Sequence, residues 1–584
     1  MASGGASKGA SGRASGRRRI AVAGGVLALC ALAGGLLGYG IDRFAGPSAP
    51  PSSAPAPPAV QAPVTVAVAP PAPVPAPQPV PQPLPQPASG PAAPAPAPAA
   101  ARAALAAVPC PDGPLPAGPA PRCHGLRVPS DWLRPDSLPL DLFVMVLPAL
   151  GGAPAADPVV LLSGGPGQGA SDDLRGSAAI LAPMRDARDL ILVDQRGTGR
   201  SRPSLRCPAL DPLRYWFGGV TAGDAAACLE PLRRAGYRLE DFDSGQSAAD
   251  LRALRGALGV ERWNVVATSY GGVLAQALLR VDGAAVRSLV LNSPAAADAT
   301  WLDLDRLTAI RQAHRRMVED CAAQPDCARA FPRLGQAVER LSAALERRPF
   351  GLRLRHPVTG RETDLSLTWP MVATVLALRL GSADGMVALP ALLDHLDRAV
   401  AARRMPAGGG EPPADIVDDP AIVSLVMPPS FWRALDSLAY GLNLTVGCRE
   451  NRPHIDAAAA RLAAAGLRPY VVAEAVETDY DAACPALQLT PVDPAFYRPV
   501  PSDVPALILT GAYDTLTAPA RAEAMGRSLG RATLMSFRGI GHDVLGVSAC
   551  GRAVAAGFVE TLSTGDAGNC LDRLLPPSFA TRLP

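Results

Sequence analysis

Lysine is almost missing from this chain. Of 55 basic residues in 584, Lys8 is the one lysine and every other is arginine. That bias is compositional and says nothing about function. Charge is scarce as well, at 18 % of residues with a formal net charge of +3, which excludes a general nucleic-acid-binding role. Residues 1–19 carry five basic residues and no acid, so the rest of the chain is slightly acidic. There are only six histidines, no His-rich cluster and no Cys-x-x-Cys pair, which argues against structural zinc; no metal or cofactor is expected. No internal repeat is visible. Two residue types are abundant instead. Sixty-four prolines are too many for one compact fold, and 11 cysteines point to an oxidising compartment.

The prolines cluster. Residues 47–98 hold 21 of them in 52 positions, and no charge occurs between Arg43 and Arg102. Residues 42–104 therefore read as a linker whose polyproline-type part, 47–98, reaches on the order of 160 Å at about 3.1 Å per residue. Before it, residues 20–41 run 22 positions without a charge, long enough to cross a bilayer. The basic tail 1–19 would keep the N-terminus cytoplasmic. An uncleaved signal-anchor and a cleaved signal peptide both fit.

Residues 105–584 are long enough for a large core. Apolar runs bounded by Gly and Pro recur at 140–147, 158–163, 189–194, 263–268, 286–292, 504–510 and 533–537, with helical segments between several of them. Leu251, Leu254 and Leu258 mark one helix face. Strand–helix alternation predicts an α/β fold with a mostly parallel sheet. Between 295 and 500 the pattern becomes Ala-, Arg- and Leu-rich, with helices expected over 303–322, 333–348, 386–404 and 455–466. This predicts a mainly helical cap inserted between a first core part, 105–294, and a second, 501–584.

The strongest chemical signal is Ala267-Thr268-Ser269-Tyr270-Gly271-Gly272, between an apolar strand and a helix. A sharp strand-to-helix turn needs small neighbours, exposes the Ser hydroxyl and sets a helix N-terminus behind it. A nucleophilic Ser needs a base and an orienting acid. Downstream, the strand 504–510 ends in Gly511-Ala512-Tyr513-Asp514, and 533–537 leads to Gly539-Ile540-Gly541-His542. Asp514 also suits an N-cap of the following helix. After the strand 158–163 comes Ser163-Gly164-Gly165-Pro166-Gly167, a turn that brings backbone N–H groups close to a ligand and lacks nucleotide-binding spacing.

Together SGGPG, the run Asp194-Gln195-Arg196-Gly197-Thr198-Gly199-Arg200-Ser201, and SYGG resemble the proline iminopeptidase and tripeptidyl aminopeptidase group of α/β-hydrolases, over about residues 105–575. The resemblance implies a Ser269, Asp514, His542 triad and an oxyanion hole built from the N–H groups of Gly165 and Tyr270. Asp194 and Arg196 would buttress the loops. Ser163 departs from the family, whose first motif usually begins with His. The implied reaction removes residues from the free N-termini of short peptides. An acid in the cap would then bind the substrate ammonium; Glu450, in Cys448-Arg449-Glu450, is the first choice, with Glu319 and Glu477 as others.

Excluding Cys30, ten cysteines remain, and spacing pairs neighbours: Cys110–Cys123, Cys207–Cys228, Cys321–Cys327, Cys448–Cys484 and Cys550–Cys570. The segment 321–327 also resembles a small looped element of the family's cap. Five disulfides fit an exported catalytic domain in a bacterial periplasm, at an outer membrane face or secreted. Three functions follow: a serine exopeptidase, an esterase with the same triad, and a tethered binding protein on an inherited hydrolase fold, which the intact triad disfavours. Oligomeric state is left open.

Overall fold

The structure, a computed structural model, describes residues 105–583 apart from 112–117, 211–219, 300–303, 356–359, 361, 403–418, 428–436, 455–465 and 471–478. All of them belong to one compact unit, Ala93–Pro584. The expected basic tail, membrane segment and Pro-rich linker lie outside the described residues. Among the described residues no helix is long and apolar enough to cross a membrane.

Eleven strands are found among the described residues: β1 (Leu105–Ala107), β2 (Arg122–Asp131), β3 (Arg134–Leu147), β4 (Val159–Leu162), β5 (Leu190–Val193), β6 (Trp263–Thr268), β7 (Val286–Asn292), β8 (Phe350–Arg355), β9 (Glu362–Leu367), β10 (Ala506–Gly511) and β11 (Ala532–Phe537). Nine form one sheet in the order β1-β2-β3-β5-β4-β6-β7-β10-β11. From β5 to β11 every pairing is parallel; β1, β2 and β3 join antiparallel at one edge. β4, β5 and β10 are buried along their whole length, which is why they read as unbroken apolar runs. Alternate residues serve opposite faces: Val160 and Leu162 join one core, Val159 and Leu161 the other. Each fully buried Leu or Val of this kind contributes roughly 1.5–3 kcal/mol. The helix Ser244–Ala257 turns Leu251 and Leu254 into the core, and Leu258 follows as its C-cap.

β10 pairs with β7 across the long 295–500 insertion, so the sheet is closed by strands from both sides of it. The expected helices there are present at Leu304–Ala322, Ala337–Arg347 and Ala383–Ala402; 455–465 lie outside the described residues. The insertion also contains a two-stranded antiparallel sheet, β8 with β9, which the expectation of a mainly helical cap did not locate. Its sequence FGLRLR alternates, burying Leu352 and Leu354 between outward arginines, and offers no unbroken apolar run. The edge strand β2 escaped for the same reason, and β1 is only three residues long.

All five expected disulfides are formed, with Cα–Cα separations from 5.1 to 5.9 Å.

Candidate active site

Three parallel strands end at the site. β6 leads into Ser269, which takes a left-handed conformation with φ 56°, and the helix Gly271–Asp282 begins two residues later. A non-Gly residue at positive φ is strained, and the neighbours hold it there. The Ser269 N–H donates to Asn292 O at 3.1 Å, and its carbonyl accepts from Gly272 N at 2.9 Å and Ala295 N at 2.8 Å. The turn is too tight for side chains behind it: a Cβ on Gly271 would lie 2.3 Å from Leu162 O. The Gly-Gly pair of the motif is thus a packing requirement.

β10 presents Asp514 and β11 leads to His542. His542 Nδ1 lies 3.1 Å from Asp514 Oδ2 and 3.2 Å from Oδ1. Asp514 is 1 % exposed. Its Oδ1 accepts from Leu516 N at 3.0 Å and Thr517 N at 2.9 Å, and its Oδ2 from Thr517 Oγ1 at 2.9 Å. The next helix, Pro519–Ser528, has Ala518 at its N-cap, so capping is not what Asp514 does. Burial pushes the Asp514 carboxyl up, but the His542 charge and these hydrogen bonds outweigh it and hold it below 3.8. Burial likewise draws the His542 imidazole down, and Asp514 more than offsets that, leaving it above 6.5. The His542 backbone N–H donates to Gly381 O in the insertion at 2.6 Å. Among the described residues no hydrogen bond joins Ser269 to His542; both side chains are partly open to solvent.

The Gly-rich loop after β4 runs against the nucleophile turn. A Cβ on Gly164 would sit 3.0 Å from Ser269 Cβ, and Gly165 takes φ 107°. Neither the Gly165 N–H nor the Tyr270 N–H donates to an acceptor among the described residues. Two N–H groups left open beside a Ser suit a developing oxyanion.

Glu450 is 4 % exposed, on the π-helical turn Gly447–Asn451. Ser244 N donates to its Oε1 at 2.8 Å and Ser244 Oγ to its Oε2 at 2.7 Å; the same Oγ lies 2.6 Å from the Tyr270 hydroxyl. Burial, and then the charge of Asp243, push the Glu450 carboxyl up to about 8. Asp243 itself pairs with Arg449 at 2.5 Å. Glu319 is an exposed helix residue in an i,i+4 pair with Arg315, and Glu477 lies outside the described residues.

Asp194 accepts from Ser171 N, Ser171 Oγ and Arg200 N, and Arg196 makes a buried pair with Asp250 at 2.7 Å, the loop-supporting roles expected of them. Three contributors were missed in the sequence. Thr517 braces the acid. Ser244 bridges Glu450 to Tyr270. Asn292, at the end of β7, donates through Nδ2 to Thr268 Oγ1 at 3.1 Å and to Asp543 Oδ1 at 2.6 Å, tying the turn before Ser269 to the loop after His542. Only the third had a visible clue, its place at a strand end.

Residues 157–329 match the family model described as the α/β hydrolase fold, and residues 469–570 that of a TAP-like protein. A proline iminopeptidase of Neisseria meningitidis is 31 % identical over 157 residues, 26 % of this chain and 38 % of that protein. Serine protease Hip1 of Mycobacterium tuberculosis is 26 % identical over 223 residues, 35 % of this chain and 42 % of that protein. The matched segments thus span about two fifths of the length of these curated relatives. Among solved structures, the proline iminopeptidase of Mycobacterium smegmatis aligns with 75 % of this chain and 98 % of its own, at 17 % identity and TM-score 0.35. An esterase of Thermogutta terrifontis aligns with 75 % and 98 %, at 14 % identity and TM-score 0.32.

Proposed function

We propose that this chain, with its mostly parallel sheet, its segments matching the α/β hydrolase fold and TAP-like models, and its relatives named proline iminopeptidase and serine protease, is a serine hydrolase, and within that class a serine exopeptidase acting on the free N-termini of short peptides. The observation that carries this is the Asp514–His542 pair, 3.1 Å apart, at strand ends beside a Ser held at positive φ. With Asp514 fixing the proton on Nδ1, the Nε2 lone pair of His542 is left to accept the Ser269 proton. Ser269 Oγ attacks the scissile carbonyl, whose oxygen becomes an anion between the N–H groups of Gly165 and Tyr270. The imidazolium returns its proton to the leaving amine, and water, activated by His542 in the same way, hydrolyses the acyl-enzyme.

Restriction to a free N-terminus requires an acid facing the substrate ammonium. The acids of the cap are assigned this role, and Glu450 is the candidate, its carboxylate oxygens keeping lone pairs beyond those that Ser244 engages. The relatives named as proline iminopeptidases support the peptidase assignment. One observation favours an esterase as the second choice: a Glu450 that is neutral up to about pH 8 and engaged by Ser244 presents no anionic wall. The division into core 105–294, cap 295–500 and core 501–584 belongs to the same proposal. So does tethering through residues 20–41, supported by the basic tail before that apolar run. The five disulfides place the catalytic part in an oxidising, extracytoplasmic compartment.

The test is a panel of free and N-acetylated aminoacyl and tripeptidyl chromogenic amides beside short-chain acyl esters. Cleavage of amides only when the N-terminus is free is the expected result, with product length giving the number of residues released. Ester turnover without amide cleavage would establish the esterase instead. In parallel, folded Ser269→Ala protein loses turnover; activity near that of the parent would refute the nucleophile assignment.

A further inference from the structure

The two N–H groups assigned to the oxyanion follow neighbouring parallel strands, β4 and β6, and each is in addition tethered to the same stretch of the insertion. On one side, Ala439 N donates to Gly167 O at 2.9 Å and Asn443 Nδ2 donates to Pro166 O at 3.0 Å. Leu438 covers this loop so closely that a Cβ on Gly165 would meet its Cδ1 at 3.3 Å. Asn443 is itself fixed, its Oδ1 accepting from Tyr480 OH at 2.9 Å. On the other side, Glu450 holds Ser244, and Ser244 holds the Tyr270 hydroxyl. The helix Tyr440–Val446 runs directly into the π-helical turn Gly447–Asn451, so Asn443 and Glu450 sit on one continuous piece of backbone. The disulfide Cys448–Cys484 joins that piece to the helix Asp479–Leu487, which carries Tyr480.

We infer that residues 438–450 of the insertion position both halves of the oxyanion hole, Asn443 through Pro166 and Glu450 through Ser244 and the Tyr270 hydroxyl. Both are positioning residues, acting on the N–H donors through other groups. This rests on the serine-hydrolase assignment. It goes beyond it in making the insertion a structural part of the catalytic apparatus as well as a cover for substrate. The chemistry favours such an arrangement. A backbone N–H on a Gly-rich loop has no side chain to hold it, and a shift of about 1 Å in a catalytic group can cost about a hundredfold in rate. Carbonyl groups pinned at Pro166 and Gly167 and a side chain pinned at Tyr270 fix the peptide planes on either side of the oxyanion.

Two near-isosteric substitutions separate positioning from packing. Asn443→Asp keeps the acceptor for Tyr480 but replaces the N–H₂ that reaches Pro166 O with an oxygen. Tyr270→Phe keeps the backbone N–H and removes the hydroxyl from Ser244. Full-length parent and variants are first labelled with an alkyl fluorophosphonate; one label per chain, lost in Ser269→Ala, confirms the serine-hydrolase assignment independently. Parent protein that takes no label overturns that assignment and the inference with it. Given labelling, kcat and KM are measured on p-nitrophenyl acetate. The expected result is a fall in kcat of about 10- to 100-fold for each variant, with KM within about twofold, below the 10²–10³ of deleting a donor outright. Because the tethers hold different donors, the losses multiply in the double variant. Should Asn443→Asp fail to fold, Tyr270→Phe alone decides. A kcat within twofold of the parent, or a raised KM at constant kcat, overturns the inference.

Discussion

Replacing Asp514 with Asn makes the proton arrangement of the site visible. The carboxylate has two differently occupied oxygens. Oδ1 takes two backbone N–H groups, from Leu516 and Thr517, and these cannot turn round. The amide oxygen of Asn must therefore stay there, and its N–H₂ falls where Oδ2 was, facing Thr517 Oγ1 and His542 Nδ1. Thr517 can accommodate it, since its hydroxyl also reaches Ser293 O at 2.9 Å and can accept while donating there. His542 cannot do so without changing tautomer: Nδ1 becomes an acceptor, the proton moves to Nε2, and the base can no longer take the Ser269 proton. A wrong tautomer of this kind lowers turnover by about 10⁴-fold, or about 5.5 kcal/mol of transition-state stabilisation. The stability change is small beside that, about 1–3 kcal/mol for one altered buried hydrogen bond. A second readout has its own sign. In the parent, Asp514 holds His542 above 6.5, so the base becomes protonated, and kcat/KM falls, at a pH above that value. Without the carboxylate, burial, the largest influence, is opposed by the more weakly acting Asp543 and reinforced by Arg306, so the imidazole falls and the acid limb of the residual activity moves down in pH. The assay is kcat/KM against pH on the best chromogenic substrate, with thermal melts to show that the variant is folded. Activity within tenfold of the parent, or an acid limb that moves up, would refute the assigned tautomer and the role of Asp514.

Glu450 gives a stability effect of opposite character. It is protonated in the folded state up to about pH 8 but only to about 4.5 when unfolded, so folding takes up a proton between those values and stability falls as pH rises through them. Asp243, Arg449, Tyr270 and Tyr497 are the titratable groups around it. Denaturant unfolding of Glu450→Gln should show a flatter slope over that window, and an unchanged slope would contradict it. Asp250→Ala leaves the fully buried Arg196 guanidinium without its partner and should destabilise by roughly 3–5 kcal/mol; a loss under 1 kcal/mol in urea titration would place solvent at Arg196. Replacing both Cys448 and Cys484 with Ser frees a loop of separation 36 and should lower stability by about 4 kcal/mol, read as the urea midpoint against the same protein with its other disulfides intact.

The strands β4, β5, β6, β7 and β10 were legible because nearly all of their residues are buried. The expected segments 263–268 and 286–292 coincide with β6 and β7, and the others differ only at their ends. The turn residues after β4, β6, β10 and β11 were legible because a strand that stops at Gly or Ser before a new helix has few physical explanations. Of the antiparallel edge only the 140–147 part of β3 was legible; β2 and the β8–β9 sheet were not, since alternating strands dilute the apolar signal with arginine, and β1 is only three residues long. Nor were the supports of the site. Thr517, Ser244 and Asn443 are ordinary polar residues in sequence, and only the fold brings them to Asp514, Tyr270 and Pro166. Glu450 was proposed because Cys448-Arg449-Glu450 sits where the resembling family carries an acid, but its burial and its two bonds to Ser244 were beyond any reading of the chain.

The order of the strands sets when the protein can become active as it is made. Ser269 follows β6, whereas the acid and base proposed for it follow β10 and β11, the last strands added at the far edge of the sheet, and the insertion bonded to both the Gly-rich loop and Ser244 is synthesised in between. A chain still emerging, or one clipped before residue 504, carries an exposed nucleophile with no base to activate it. Under the proposed triad and export, hydrolytic competence arrives only with completion of the edge, and the chain stays inert toward the machinery that delivers it.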